Sequence, residues 1–187
     1  MAINNINSKL DDLYNLHRFD QNEYREVSPA FQWAQNLEYL FIQIKYAHRF
    51  DSPGCLEVKN ENVDIYKTIV IFTAYCVQGD IPIKFKLNLD LFDEISREDS
   101  TFSSSSVGRY QLNLKKKRVG QYWKNMLRDG ADVPSNMKMW IEMREKYLTE
   151  IQSFIDESEE DEYRKVDEEI ELSRKNKKEG KIDKAMR

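Results

Sequence analysis

The chain has 187 residues, 40% of them hydrophobic and 33% charged, with a net charge of −4. That is enough for one sizeable core, it lacks the basic excess of a general nucleic-acid binder, and no apolar run reaches the roughly 18 residues that span a bilayer. With neither a basic segment nor an apolar stretch of leader type at the N-terminus, the expectation is a soluble, monomeric cytoplasmic protein, with nucleus or ER lumen as alternatives.

Residues 4–26 read as a helix: Ser8 is a capping residue, Asp11 and Asp12 suit a first turn, and Ile6, Leu10, Leu13 and Tyr14 recur at three- and four-residue spacings. Ser28 and Pro29 end it. From Ala30 the period changes to two. AFQWAQ puts Phe31 and Trp33 on one side, and in the next run Leu40, Ile42, Ile44 and Tyr46 oppose Tyr39, Phe41, Gln43 and Lys45. DSPG at 51–54 has turn chemistry.

Strands are then expected over 55–63 and 67–77, followed by a turn at Gln78–Asp80. Over 81–95, Ile81, Ile83, Phe85, Leu87, Leu89 and Leu91 share a face opposite Lys84, Lys86, Asn88 and Asp90, the cleanest strand pattern in the chain. Serine-rich residues 96–108 read as a loop, and in residues 107–115 Arg109, Gln111, Asn113 and Lys115 alternate with Tyr110, Leu112 and Leu114. Strands at roughly ten-residue intervals with no helices between them predict an all-β fold, an antiparallel seven-stranded β-sandwich.

The expected organisation is a helical extension over 1–28, the β domain over 29–129, and a charged tail over 130–187, partly helical or disordered. In that tail acidic residues crowd 156–171 and basic ones 174–187. Ser158 lies among glutamates, a setting that suits an acid-directed kinase.

Cys55 and Cys76 do not make a disulfide framework. Buried reduced thiols are the expectation. A hairpin centred near residue 65 or 66 would nevertheless set the two nearly opposite each other and permit a bridge. His17 and His48, the two histidines, have no metal-ligand spacing to a cysteine or carboxylate, and there is no Walker loop, GxGxxG or GxSxG. No enzyme, cofactor or metal site is expected.

Taken together, FQWAQNLEYLFIQI, LEVKNENV, TIVIFTAYC, IPIKFKLNLDLFDEI and VGRYQLNLKKKRVGQYWKNML, in this order and spacing, resemble the CS domain, a fold of the α-crystallin and small-heat-shock type. Lys116, Gly120 and Trp123–Leu127 resemble the family's last strand and the tryptophan segment after it. Trp140 and the acidic run 156–162 resemble the tail of its co-chaperone members, so the likeness covers about residues 30–162.

The resemblance implies a non-enzymatic co-chaperone that binds the ATP-bound, closed ninety-kilodalton heat-shock chaperone and assists unfolded client proteins, the acidic tail holding them. The alternative is an adaptor or scaffold of the NudC or Sgt1 kind, acting through the N-terminal helix. The implied partner surface comprises Arg109, Gln111, Asn113, Lys115, Lys116, Lys117, Arg118 and Trp123. Read from the residues alone, these are equally a solvated sheet face whose charges block edge aggregation, with Trp123 packing the end of the sandwich.

Overall fold

The computed structural model describes residues 24–106, 108–162, 164, 165 and 168. Nine strands occur among them, against the seven expected: β1 (Arg25–Val27), β2 (Ala30–Gln35), β3 (Tyr39–Lys45), β4 (Lys59–Ile65), β5 (Ile69–Gln78), β6 (Ile81–Asp90), β7 (Ile95–Ser106), β8 (Arg109–Lys116) and β9 (Met137–Met139). They form two sheets, one ordered β1-β6-β5-β4 and the other β7-β8-β3-β2-β9. All neighbours pair antiparallel except β1 with β6 and β2 with β9, which are parallel.

The sandwich follows from the alternation. In β6 the odd-numbered Ile83, Phe85, Leu87 and Leu89 are buried, as are the even-numbered Val70, Phe72, Ala74 and Cys76 of its partner β5. The other sheet buries Phe31 and Trp33 of β2, Leu40, Ile42 and Ile44 of β3, and Tyr110, Leu112 and Leu114 of β8. These residues make one core, and each fully buried large side chain contributes about 1.5–3 kcal/mol. The β5–β6 hairpin runs in unbroken register from Ile69↔Asp90 to Gln78↔Ile81, and its turn has Gly79 at φ 64°.

Four features differ from the sequence reading. The expected helix over 4–26 lies outside the described residues up to 23, and at its end Arg25 and Glu26 belong to strand β1, registered on Ile83 and Lys84 of β6. Residues 96–108, expected as a loop, are for the most part the edge strand β7. Serine side chains carry no strand signal, but the backbone pairs with β8 wherever a neighbouring edge is open, here with register shifts between Ser96 and Thr101 and between Ser104 and Ser106. β9 comes from the segment read as tail and places Met137, Lys138 and Met139 opposite Phe31, Gln32 and Trp33. Strands from outside 29–129 thus extend both sheets.

The fourth difference is covalent: Cys55 and Cys76 are joined by a disulfide, not held as reduced thiols. The hairpin is centred later than expected, with Ile65 paired to Val70, so Cys55 lies before β4 and not on it. Its backbone N–H donates to the Tyr46 carbonyl at 2.8 Å, and this turn carries the sulfur to β5.

The chain divides into two compact units between Arg144 and Glu145. Helix α1 (Ile141–Lys146) crosses that division, and residues 148–162 are helical. In the second unit Arg164 pairs with Asp161 at 2.7 Å, and Ser158 is exposed with its hydroxyl donating to the Ile155 carbonyl.

Candidate protein-binding face

The alternation that buries one side of β8 turns Arg109, Gln111, Asn113 and Lys115 to the outer face of the five-stranded sheet. Arg109 is exposed and the other three are half-buried. The register aligns them with polar and aromatic residues of the neighbouring strands: Gln111 lies beside Gln43 and Ser103, Asn113 beside Phe41 and Thr101, and Lys115 beside Tyr39 and Ser96.

Side-chain hydrogen bonds knit this face together. Gln32 Nε2 and Arg109 Nη1 both donate to Gln43 Oε1, at 3.0 and 2.7 Å. Gln111 Nε2 donates to Asn113 Oδ1 at 2.9 Å, and Asn113 Nδ2 to the Thr101 hydroxyl at 3.3 Å. Lys115 Nζ donates to Glu38 Oε2 at 2.8 Å and stands 4.5 Å over the Tyr39 ring. The hydrogen bond to Glu38 is the main reason that its ammonium is held above the usual lysine value, so the face keeps this positive charge.

Beyond the strand, Lys117 is exposed and Arg118 grips Asp93 through Nε and Nη2 at 2.9 and 2.6 Å. Two expected partner-binding residues are elsewhere. Lys116 is 1% exposed, because it continues the inward series of Tyr110, Leu112 and Leu114. Its Nζ donates to Gln35 Oε1 at 2.8 Å and to the Asn36 and Gln121 carbonyls, both at 2.7 Å, and lies 5.1 Å from the Trp123 ring centre. Three acceptors and an aromatic face compensate the lost hydration of the ammonium.

Trp123 is likewise 1% exposed. Gln35 Nε2 donates to its carbonyl at 2.6 Å, its backbone N–H donates to Gln35 Oε1 at 3.1 Å, and its ring packs at 5.8 Å from that of Phe92. Its indole nitrogen finds no acceptor among the described residues. Lys116 and Trp123 therefore close the end of the sandwich and offer no side chain to a partner.

The face also includes Gln32, Tyr39 and Gln43, which were not among the expected site residues although the polar half of the 39–45 alternation marked two of them. Gln32, between Phe31 and Trp33, was set on the polar side by the same alternation, but its place on this face depends on β2 lying beside β3. His48 is exposed, with Nδ1 3.0 Å from the Ser28 carbonyl. Among the described residues no group of three His, Cys, Asp or Glu is placed to hold a metal. What the face offers is an array of amides with positive charges, chemistry for recognising a polar or acidic protein surface.

No protein-family model matches the sequence, and no curated protein does. Among solved structures the chain is similar to the nuclear movement protein from E. cuniculi GB-M1, at 14% identity and TM-score 0.36, covering 52% of this chain and 98% of that one. It is also similar to the CS domain of the human KIAA1068 protein, at 16% identity and TM-score 0.39, covering 63% of this chain and 87% of that one. At these scores neither likeness carries an argument about function, which rests on the face itself and on the sequence pattern.

Proposed function

We propose that the chain is a non-enzymatic co-chaperone whose β8 face docks on the ATP-bound, closed state of the ninety-kilodalton heat-shock chaperone and assists client folding. The observation that supports a binding role is the hydrogen-bonded outer face from Gln32 through Gln43 and Arg109 to Lys115. A face already ordered loses little side-chain freedom when a partner covers it. The choice of partner rests on the resemblance of the strand pattern to the CS domain. A ligand shifts a two-state equilibrium only by its difference in affinity for the two states, so a co-chaperone of this kind must prefer the closed chaperone over the open one.

Exposed Arg109 and Lys117 frame the face and would speed encounter with an acidic surface more than they add affinity. The acidic residues of 156–162, exposed on a helix, suit the proposed role of keeping an unfolded client soluble.

The test is binding of the full-length protein to the ninety-kilodalton chaperone with a non-hydrolysable ATP analogue and with ADP, alongside the variant Arg109→Glu/Lys117→Glu. Both substitutions are at exposed positions and spare the core. Binding with the ATP analogue alone, lost in the variant, is expected. Absence of binding in both nucleotide states would reject the co-chaperone reading in favour of an adaptor, whose partner would then be sought with residues 1–28.

A further inference from the structure

A cleft of about 380 Å³ separates loop 47–53 from the four-stranded sheet. One wall is His48, Ser52 and Pro53, and the other is Gln78, Ile83 and Phe85, with Arg25 and Val27 of β1 at its side. The disulfide joins these two walls. Cys55 follows Pro53 by two residues, while Cys76 precedes Gln78 by two and is registered directly on Ile83, with 6.5 Å between the two cysteine Cα atoms.

The two halves of the bond sit on supports of different rigidity. Cys76 is near the end of β5, a strand flanked in its sheet by β6 and β4, where it is paired with Ile83 of β6, and it is 4% exposed. Cys55 is buried too, but the chain on both sides of it is exposed at Pro53, Leu56 and Glu57. The hydrogen bonds of this loop run largely to the end of β3 and the residue after it, and to the stretch after β1: the Cys55 N–H to the Tyr46 carbonyl, Lys45 Nζ to the Phe50 and Ser52 carbonyls, and His48 to Ser28. The link to β5 is the disulfide, with Cys55 Sγ also 3.9 Å from the Val77 carbonyl. A segment with exposed backbone and few packed side chains opens locally at low cost, whereas a central strand does not.

We propose that Cys55–Cys76 is a redox switch that sets the position of loop 47–54 and with it the width of the cleft. The reductant is a dithiol. One of its thiolates attacks a sulfur of the disulfide during a local opening, giving a mixed disulfide and freeing the other cysteine as thiolate. The second thiolate of the reductant closes on the mixed disulfide, leaves as a cyclic disulfide and releases the second cysteine. Two electrons and two protons end on Cys55 and Cys76. The loop wall then moves away from β5, while the core of both sheets, built mainly from the inward rows of β2, β3, β5, β6 and β8, stays packed.

Three states of the full-length protein test this: as purified without reductant, after a small-molecule dithiol, and as Cys55→Ser/Cys76→Ser. Thiol alkylation under denaturing conditions should find no free thiol in the first and two in the second. Amide hydrogen exchange should then be about tenfold or more faster over residues 46–58 in the second and third states, with the inward-facing core of β5, β6 and β8 unchanged. Two free thiols in the unreduced protein would overturn the proposal. So would equal exchange at 46–58 in all three states, or a loss of protection spread over both sheets.

Discussion

The residue that most changes the meaning of the basic run is Lys116. In KKKR the four cations are chemically alike, yet Lys116 is 1% exposed whereas Lys117 and Arg118 are exposed. Replacing Lys116 by methionine keeps most of the stem but removes the ammonium that donates to the Asn36 and Gln121 carbonyls and to Gln35 Oε1, which keeps only the Trp123 N–H. Such a loss should lower stability in urea unfolding by about 3 kcal/mol, while Lys117→Ala should change it by less than about 0.5 kcal/mol. Equal small effects would mean that Lys116 is solvated. The parity of Tyr110, Leu112 and Leu114 already pointed Lys116 inward, but charge argued the other way, because an ammonium is buried only where acceptors are supplied. Tyr46 makes a second test. Burial first, then its hydrogen bond to Glu61 and the charge of that carboxylate, push its phenol well above the ordinary value. A raised folded value means that the stabilisation is fully present below the unfolded tyrosine value of about 10 and is lost as pH rises above it. Unfolding free energy should therefore fall above about pH 10, and Tyr46→Phe should flatten that fall while costing about 1 kcal/mol at neutral pH. An unchanged alkaline limb in the variant would assign the fall to other groups, such as Tyr110, whose phenol is also raised, chiefly by burial.

Among the elements, β6 was legible because from Ile83 to Asp90 its side chains alternate between two environments, apolar inward and polar outward, only Ile81 at its start being exposed against the pattern. β7 and β9 were not, because an edge strand can be held by backbone bonds to one neighbour and needs little from its side chains. The main-chain bonds at β9 begin with Phe31 N–H donating to the Asn136 carbonyl at 3.1 Å and end with Trp140 N–H donating to the Trp33 carbonyl at 2.7 Å. Asn136 Nδ2 adds donations to the Ser28 and Pro29 carbonyls at 2.9 and 2.8 Å. A chain ending at residue 135 loses all of these and bares one edge of β2. It should be roughly 1–3 kcal/mol less stable than a chain ending at residue 144 and should self-associate more readily, as read by urea unfolding and by sedimentation. Equal stability of the two would show that β9 is incidental. Of the binding face, the β8 row was readable in order, but the places of Gln43 and Gln32 beside it came through the register of β3 on β8 and of β2 on β3.

At the scale of the whole molecule, the disulfide constrains a crossover between the two sheets, since β3 and β4 belong to different sheets and Cys55 lies between them. Closing a loop of this size restricts the unfolded chain, so reduction should lower the free energy of unfolding by about 3 kcal/mol in the loop-entropy account while the protein remains folded at room temperature. A reduced protein with an unaltered unfolding midpoint would contradict it. By itself the sequence determined strands β2, β3, β5, β6 and β8 and which side of each faces inward, because an alternation of apolar and polar side chains is a local record of two environments. It determined the β-sandwich and the polar row of β8 in the same way. The tertiary structure decided what lies between distant segments: that β1 and β9 complete the sheets, that Cys55 reaches Cys76, and that Lys116 finds Gln35, 81 residues away. Pairing an edge, forming a bond or desolvating a cation each depends on a partner that the local sequence does not contain.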